Sequence, residues 1–339
     1  MKKYIFIISF FAFYIANGQI ADFKDVDFTK ADNIAKLNNG EDLQNLPLLS
    51  YNLTSNLPTK VEKFRAIYTW VCTNISADIK QNNKVTHYRK KLKNDSISFI
   101  KWNTEYKKKA FKKLLKHNKT MCTGYAYLIK ELAFIADIEC KIIDGYGRTF
   151  NANIDTLETL NHSWNAVKLN NKWYLCDATW SSGYMNENYT FVNDYNDGYF
   201  LINPILFSKN HFPIHKKWLL NTKTTNITFI ESPLVYGETF KYKIIPLTPS
   251  KMNIKVLQNE EVSFKFKALR NISKRRVSLV YYLGNTEQSF DIYNLREEKG
   301  IITFKNKFKH KGFYDVHLKI EDDVVATYTV NVTKYKKKV

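Results

Sequence analysis

Two segments of alternating apolar character, 162–169 and 173–179, flank the dipeptide Asn170-Asn171. Asparagine tolerates the left-handed backbone of a two-residue hairpin turn, so the segments are expected to pair. That turn sets the register, and facing residues carry numbers that sum to 341. His162 then faces Thr179, and Trp164 faces Asp177. Side chains alternate along a strand, which puts Asp177 on the same face as His162. The two become diagonal neighbours, roughly 7 Å apart at the backbone and within reach of a hydrogen bond. A slip of one residue would send them to opposite faces.

A carboxylate in that place holds an imidazole in one tautomer and raises its basicity. Upstream, Cys122 opens a segment, about 122–136, with an apolar stripe of Tyr125, Leu128, Ile129, Leu132, Ala133 and Ala136. That spacing is expected of a helix with one buried face, with Thr120 as its cap. A thiol in the first turn meets unpaired backbone N–H groups and the positive end of the helix dipole, and both favour the thiolate. Lys119 adds positive charge, and Gly124 leaves room for a close approach. The Cys122 N–H could also receive a developing oxyanion. Cys122, His162 and Asp177 are therefore the candidate nucleophile, base and orienting group. The same spacing admits a structural account, in which Cys122 packs beside Tyr125 and Ile129 and His162 is a satisfied strand histidine. Trp164 and Trp180 are candidate walls of a substrate groove, and Trp102 a candidate contributor above the site. Packing is the alternative role for all three. His211 and His215 are read as structural.

The N-terminus has the form of a secretory signal: Lys2 and Lys3, a twelve-residue apolar run from Tyr4 to Ile15, then Ala16-Asn17-Gly18. Residues 1–18 are expected to be removed, giving a secreted or periplasmic protein. The run is too short to span a bilayer comfortably, and no transmembrane anchor is expected. About 320 residues then remain, enough for two domains. The formal charge is +20, or +18 without Lys2 and Lys3. An excess this large suits an anionic surface or polymer, although no nucleic-acid motif accompanies it. Cys72, Cys140 and Cys176 lack the spacing of a zinc site or redox pair and are read as buried free thiols. No clustered His and carboxylate ligands or calcium loop appear, so neither metal nor cofactor is expected.

Along the chain, residues 19–58 read as an arm or short helices. Thr59 and Glu62 make a capping box for a helix carrying Val61, Phe64, Tyr68, Val71, Cys72 and Ile75. Residues 76–104 read as a polar loop, and Lys107 to Lys119 as a helix with a cationic outer face. Residues 221–228 read as a linker. From about Phe229 the texture becomes short alternating segments, clearest at 240–245, 262–266, 277–283, 300–304 and 324–332. These predict an antiparallel, Ig-like β-sandwich over 229–335.

Three blocks resemble the signature segments of the transglutaminase-like superfamily, in the same order. They are Met121-Cys122-Thr123-Gly124-Tyr125-Ala126, Asn161-His162-Ser163-Trp164-Asn165-Ala166-Val167 and Trp173-Tyr174-Leu175-Cys176-Asp177-Ala178-Thr179-Trp180. Phe64 to Val71 resembles the preceding helix. Tyr199-Phe200-Leu201, Pro204 and His211-Phe212-Pro213 resemble the segment that follows the core in bacterial kyphoscoliosis-peptidase-like members. The resemblance implies a papain-like α+β core, assigned here to residues 59–220, with Cys122 as nucleophile, His162 as base and Asp177 as orienting group. It implies acyl transfer on protein or peptide amides through a thioester, with hydrolysis favoured, and leaves crosslinking and an inactive binding or scaffold protein as the alternatives.

Overall fold

The computed structural model describes residues 20–157, 160–188, 190–220 and 222–334. The expected signal peptide lies outside the described residues. Helices α1 (Thr29–Leu37) and α2 (Leu46–Thr54) bury Ala31, Ala35, Leu49 and Leu53 against α3 (Lys60–Asn74). The N-terminal arm is thus built into the core. Helix α3 starts at the expected capping box, with Thr59 and Glu62 bonding reciprocally. Its Arg65 is buried and holds Asp32 at 2.6 and 3.0 Å, tying α1 to α3.

Strand β1 (Ser76–Ala77) pairs in parallel with β2 (Lys119–Thr120). Between them run α4 (Ile79–Lys91) and α5 (Ser96–His117), where the sequence led us to expect a loop over 76–104. These helices lack a long aliphatic stripe. They start at the side-chain caps Asp78 and Asp95 and are joined by an aromatic stack, with Trp102 at 4.1 Å from Tyr88. The expected cationic helix is the second half of α5.

Helix α6 (Cys122–Ile135) packs on a four-stranded antiparallel sheet. The sheet consists of β3 (Cys140–Gly147), β4 (His162–Leu169), β5 (Lys172–Cys176) and, after α7 (Ala178–Ser182), the hairpin β6 (Gly183–Met185) and β7 (Phe191–Asn193), and α8 (Pro204–Phe207), the strand β8 (His211–Pro213). Strands β6 and β7 pair only with each other; the sheet order is β5-β4-β3-β8. Asn170 and Asn171 have φ of 48° and 61°, and β4 pairs with β5 from Asn165–Cys176 to Leu169–Lys172, in the expected register.

The C-terminal region opens with α9 (Asn226–Glu231), capped by Thr225, and β9 (Leu234–Val235). The expected linker is therefore partly helical, and Phe229, just beyond it in α9, is buried against Phe212. Residues 240–245, expected as one strand, divide between α10 (Gly237–Lys241) and β10 (Ile244–Thr248). Phe240 is drawn into the helix to stack at 4.2 Å on Tyr199. The strands β11 (Asn253–Leu257), β12 (Glu261–Ala268), β13 (Val277–Leu283), β14 (Thr286–Ser289), β15 (Tyr293–Glu298), β16 (Ile301–Lys307), β17 (Gly312–Ile320) and β18 (Asp323–Thr333) complete two sheets. Their orders are β10-β12-β16-β15 and β11-β18-β17-β13-β14, with β9 also on β18. All pairings are antiparallel except β11–β18. Phe264 and Phe304 of one sheet share a core with Leu318 and Tyr328 of the other, so the arrangement is a sandwich.

The sandwich region is fastened to the thiol-bearing region. Val235, Phe240 and Ile245 share a buried cluster with Ile143, Trp164 and Leu175. Buried Arg148, next to β3, donates to the carbonyls of Ile230 at 2.9 Å and Pro233 at 3.2 Å. Burial pulls its guanidinium down to about 10.

Candidate active site

Three elements converge on one sulfur. Strand β2 delivers the chain to α6, and the first helical residue is Cys122. Thr120, expected as the cap, is instead a buried strand residue, and α6 starts at Met121 without a side-chain cap. What holds this turn is Gln81 of α4, whose Oε1 accepts from the Met121 N–H at 2.9 Å. The Cys122 N–H makes no hydrogen bond to a described residue, as the first turn of a helix permits. Gly124 has the close approach anticipated for it: a Cβ there would lie 1.9 Å from Thr120 Oγ1.

His162 is the first residue of β4 and Asp177 the first beyond β5. The strand pairing stops before Thr179, because Asp177 turns to cap α7, its Oδ1 accepting the Thr179 N–H at 2.9 Å. The expected facing pairs His162–Thr179 and Trp164–Asp177 therefore do not form. The meeting they implied does, since His162 Nε2 lies 2.7 Å from Asp177 Oδ2. Tyr68 of α3 donates to the Asp177 carbonyl at 2.9 Å, and Asn161 brackets Gly147 with both side-chain atoms. The bond from Asp177 to Nε2 leaves Nδ1 for the thiol.

Charge follows geometry. Burial alone would push the Cys122 thiol up, but a hydrogen bond from His162 and its positive charge outweigh burial and hold it below its ordinary value. Burial would likewise lower His162, yet the charge and hydrogen bond of Asp177, assisted by Cys122, raise it to about 10. Asp177 is held well below the usual carboxylate range by His162 and His211, against its own burial. The thiol lowered and the imidazole raised are the two shifts that favour a thiolate–imidazolium pair. The other three cysteines are also buried and free, and burial raises each of them, Cys140 to about 12.

One residue at this site was missed. His211, read as structural, donates or shares a proton at 3.1 Å with the same Asp177 Oδ2. It reaches there because β8 lies beside β3, a neighbour relation that no local pattern around 210–213 signals. Burial pulls His211 down to about 4, so it is neutral at pH 7. Its ring stacks at 3.8 Å on Phe207 and lies 4.4 Å from Trp180. The close fit of β8 depends on Gly145. A Cβ there would lie 2.3 Å from the Phe212 carbonyl oxygen and 2.4 Å from Trp164. We expect Gly145→Ala to destabilise the fold by about 1–3 kcal/mol, read as a lower urea midpoint, because the nearer obstacle is backbone.

The three tryptophans fall in different places. Trp180 is half-buried and stacks at 4.6 Å on His162, covering one face of the imidazole. Trp164 is 1% exposed and packs against Phe207 and His211, which corrects its reading as a groove wall. Among the described residues Trp102 makes ring contacts with Tyr88, Phe99 and Tyr106, all on α4 or α5, and none with the cluster around Cys122. The expectation of no His–carboxylate cluster also needs correction. His162, Asp177 and His211 place ligand atoms within 4.8 Å of one another and could hold a metal ion. Their 2.7 and 3.1 Å separations are those of hydrogen bonds, which a metal would have to displace.

The model of the transglutaminase-like superfamily matches residues 48–178, a span that contains Cys122, His162 and Asp177. Residues 48–178 are a transglutaminase-like domain. Over 260 residues the chain is 28% identical to kyphoscoliosis peptidase of Homo sapiens and 27% identical to that of Mus musculus. Each match covers 73% of this chain and 34% of the relative. Hillarin of Drosophila melanogaster is 24% identical over 236 residues, covering 64% of this chain and 26% of that protein. The chain thus spans about a third of the length of the kyphoscoliosis peptidases it matches. All three are animal proteins, and none of them shows a bacterial origin. The matched span ends at the first residue of α7, and His211 lies beyond it.

Proposed function

We propose that the transglutaminase-like domain is a thiol-dependent acyl-transfer enzyme that hydrolyses amide bonds of protein or peptide substrates. The observation that carries this reading is selective: of four buried thiols, only Cys122 is lowered, and His162 is the group that lowers it most. The Cys122 thiolate attacks the substrate carbonyl carbon, and the oxygen becomes an anion facing the Cys122 N–H. As the C–N bond breaks, the imidazolium of His162 gives its proton to the departing amine, leaving a thioester. His162 then takes a proton from water, the hydroxide attacks the thioester, and the carboxylic acid leaves as the thiolate is regenerated. Asp177 keeps the ring oriented and stabilises its charged form throughout. Trp180 is the remaining candidate for contact with substrate.

Water is favoured as acceptor over a lysine amine because the human and mouse relatives carry the name peptidase. An exported protein is proposed from the leader-like residues 1–18. Casein incubated with the protein and a fluorescent primary amine tests the reading. Acid-soluble peptides should accumulate, and Cys122→Ala should abolish them. Amine incorporation without peptide release would assign crosslinking instead, and neither product would leave an inactive scaffold.

A further inference from the structure

The α4–α5 hairpin leaves the body at β1 and returns at β2, so both its ends are tied to one short ladder. From Lys80 to Lys119 it carries fourteen Lys and Arg residues against two acids, Asp95 and Glu105. That is a net +12 of the chain's +20, concentrated in one excursion. Few of these charges are neutralised: Lys108 pairs with Glu105, and Lys113 with Asp78. One side of α5 is used internally, where Phe99, Trp102 and Tyr106 stack together and Trp102 meets Tyr88 of α4.

The other side carries apolar residues that water should disfavour. Ile97 is 80% exposed and Ile100 is 63% exposed, while Phe111, toward the other end of the same face, already packs on Tyr127 of α6. At 3.6 residues per turn, Ile97, Ile100, Thr104, Lys107 and Phe111 share one face, with Lys101, Lys108 and Lys112 beside them. A partner recognised by charge alone, such as a nucleic acid or a soluble polyanion, has no use for exposed isoleucines. An anionic bilayer meets both features. Its acyl boundary accepts the isoleucines, its lipid phosphates meet the ammonium groups, and lysine stems reach between the two. We propose that the outer face of the α4–α5 hairpin docks the protein on a lipid surface bearing negative headgroups, with Ile97 and Ile100 entering the headgroup layer. Ile97, Ile100 and the lysines beside them are not among the groups that act on Cys122, and the proposal does not depend on the catalytic reading.

Co-sedimentation of the chain from Gln19 with vesicles tests the proposal. Binding is expected to vesicles rich in phosphatidylglycerol, to weaken with added salt, and to be absent on phosphatidylcholine alone. Ile97→Asn with Ile100→Asn should weaken binding roughly tenfold or more. Lys101→Gln, Lys107→Gln and Lys112→Gln together should weaken it roughly a hundredfold. Unchanged alkylation of Cys122 in both variants would show that the fold is intact, so loss of docking and loss of the thiol site are read separately. Vesicle binding that ignores the isoleucines would overturn the proposal. So would capture by heparin or duplex DNA with no binding to either vesicle.

Discussion

Iodoacetamide is expected to label Cys122 alone among the four cysteines of the native chain at pH 6–7, and His162→Ala should slow that labelling at least roughly tenfold. The reasoning is a balance of two effects. A thiol with an ordinary pKa of about 8.5 is only about 0.3% ionised at pH 6, so an imidazolium partner raises the thiolate fraction by two orders of magnitude or more. A less basic sulfur is also a weaker nucleophile, which returns about one order of magnitude of that gain. Without His162 the largest influences that offset burial are gone and only the smaller ones of Arg89 and the Ser163 backbone remain, so the thiol should rise from where His162 holds it. The rate for the wild type should therefore level off at lower pH than that of the variant. Equal rates at pH 6 would show that the two side chains are not coupled, and the catalytic reading would fail with it. Cys72, Cys140 and Cys176, all raised by burial, should label only after unfolding in urea.

Asp177→Asn should reduce any amide-cleaving activity by roughly 10³ to 10⁴-fold, while Asp177→Ala should cost about 3–5 kcal/mol of stability. The Asp177 carboxylate is fully buried and serves two rings through one oxygen, so its loss strands two imidazoles at once. Its pH signature can be isolated in a Cys122→Ser background, which removes the titration of the thiol. His162, still raised by Asp177 once the Cys122 thiol is gone, contributes stability that is complete below about 6.5 and is lost as pH climbs through its raised value. His211, lowered to about 4, contributes stability that is complete above about 6.5 and is lost as pH falls toward 4. Asp177, depressed by both rings, reinforces the acid loss at still lower pH. Thermal melts should therefore peak near neutrality. Asp177→Asn should flatten the alkaline limb, and His211→Gln should flatten the acid limb while sparing the alkaline one. An alkaline limb that survives in Asp177→Asn would contradict the assignment of the carboxylate as the group that raises His162.

The meeting of His162 with Asp177 and the local frame around them and Cys122 could be read from the chain alone. The hairpin at Asn170-Asn171, the helix beginning at Cys122 and the capping box at Thr59 each depend on contacts within a few residues, and such contacts are written in local order. The same local logic placed His162 and Asp177 together, and it tolerated the early end of β5 because a cap and a strand both aim Asp177 at the ring. Where partners are distant in sequence, local order had nothing to offer. The α4–α5 hairpin was hidden because its cohesion is an aromatic stack between two helices instead of an aliphatic stripe on either. Gln81 at the Met121 N–H, Trp164 sealed beneath the site and His211 on the shared carboxylate all follow from the packing of elements remote along the chain. Only the tertiary structure could decide them, because burial and nonlocal hydrogen bonds, which set which thiol ionises and which imidazole stays neutral, do not exist until those elements meet.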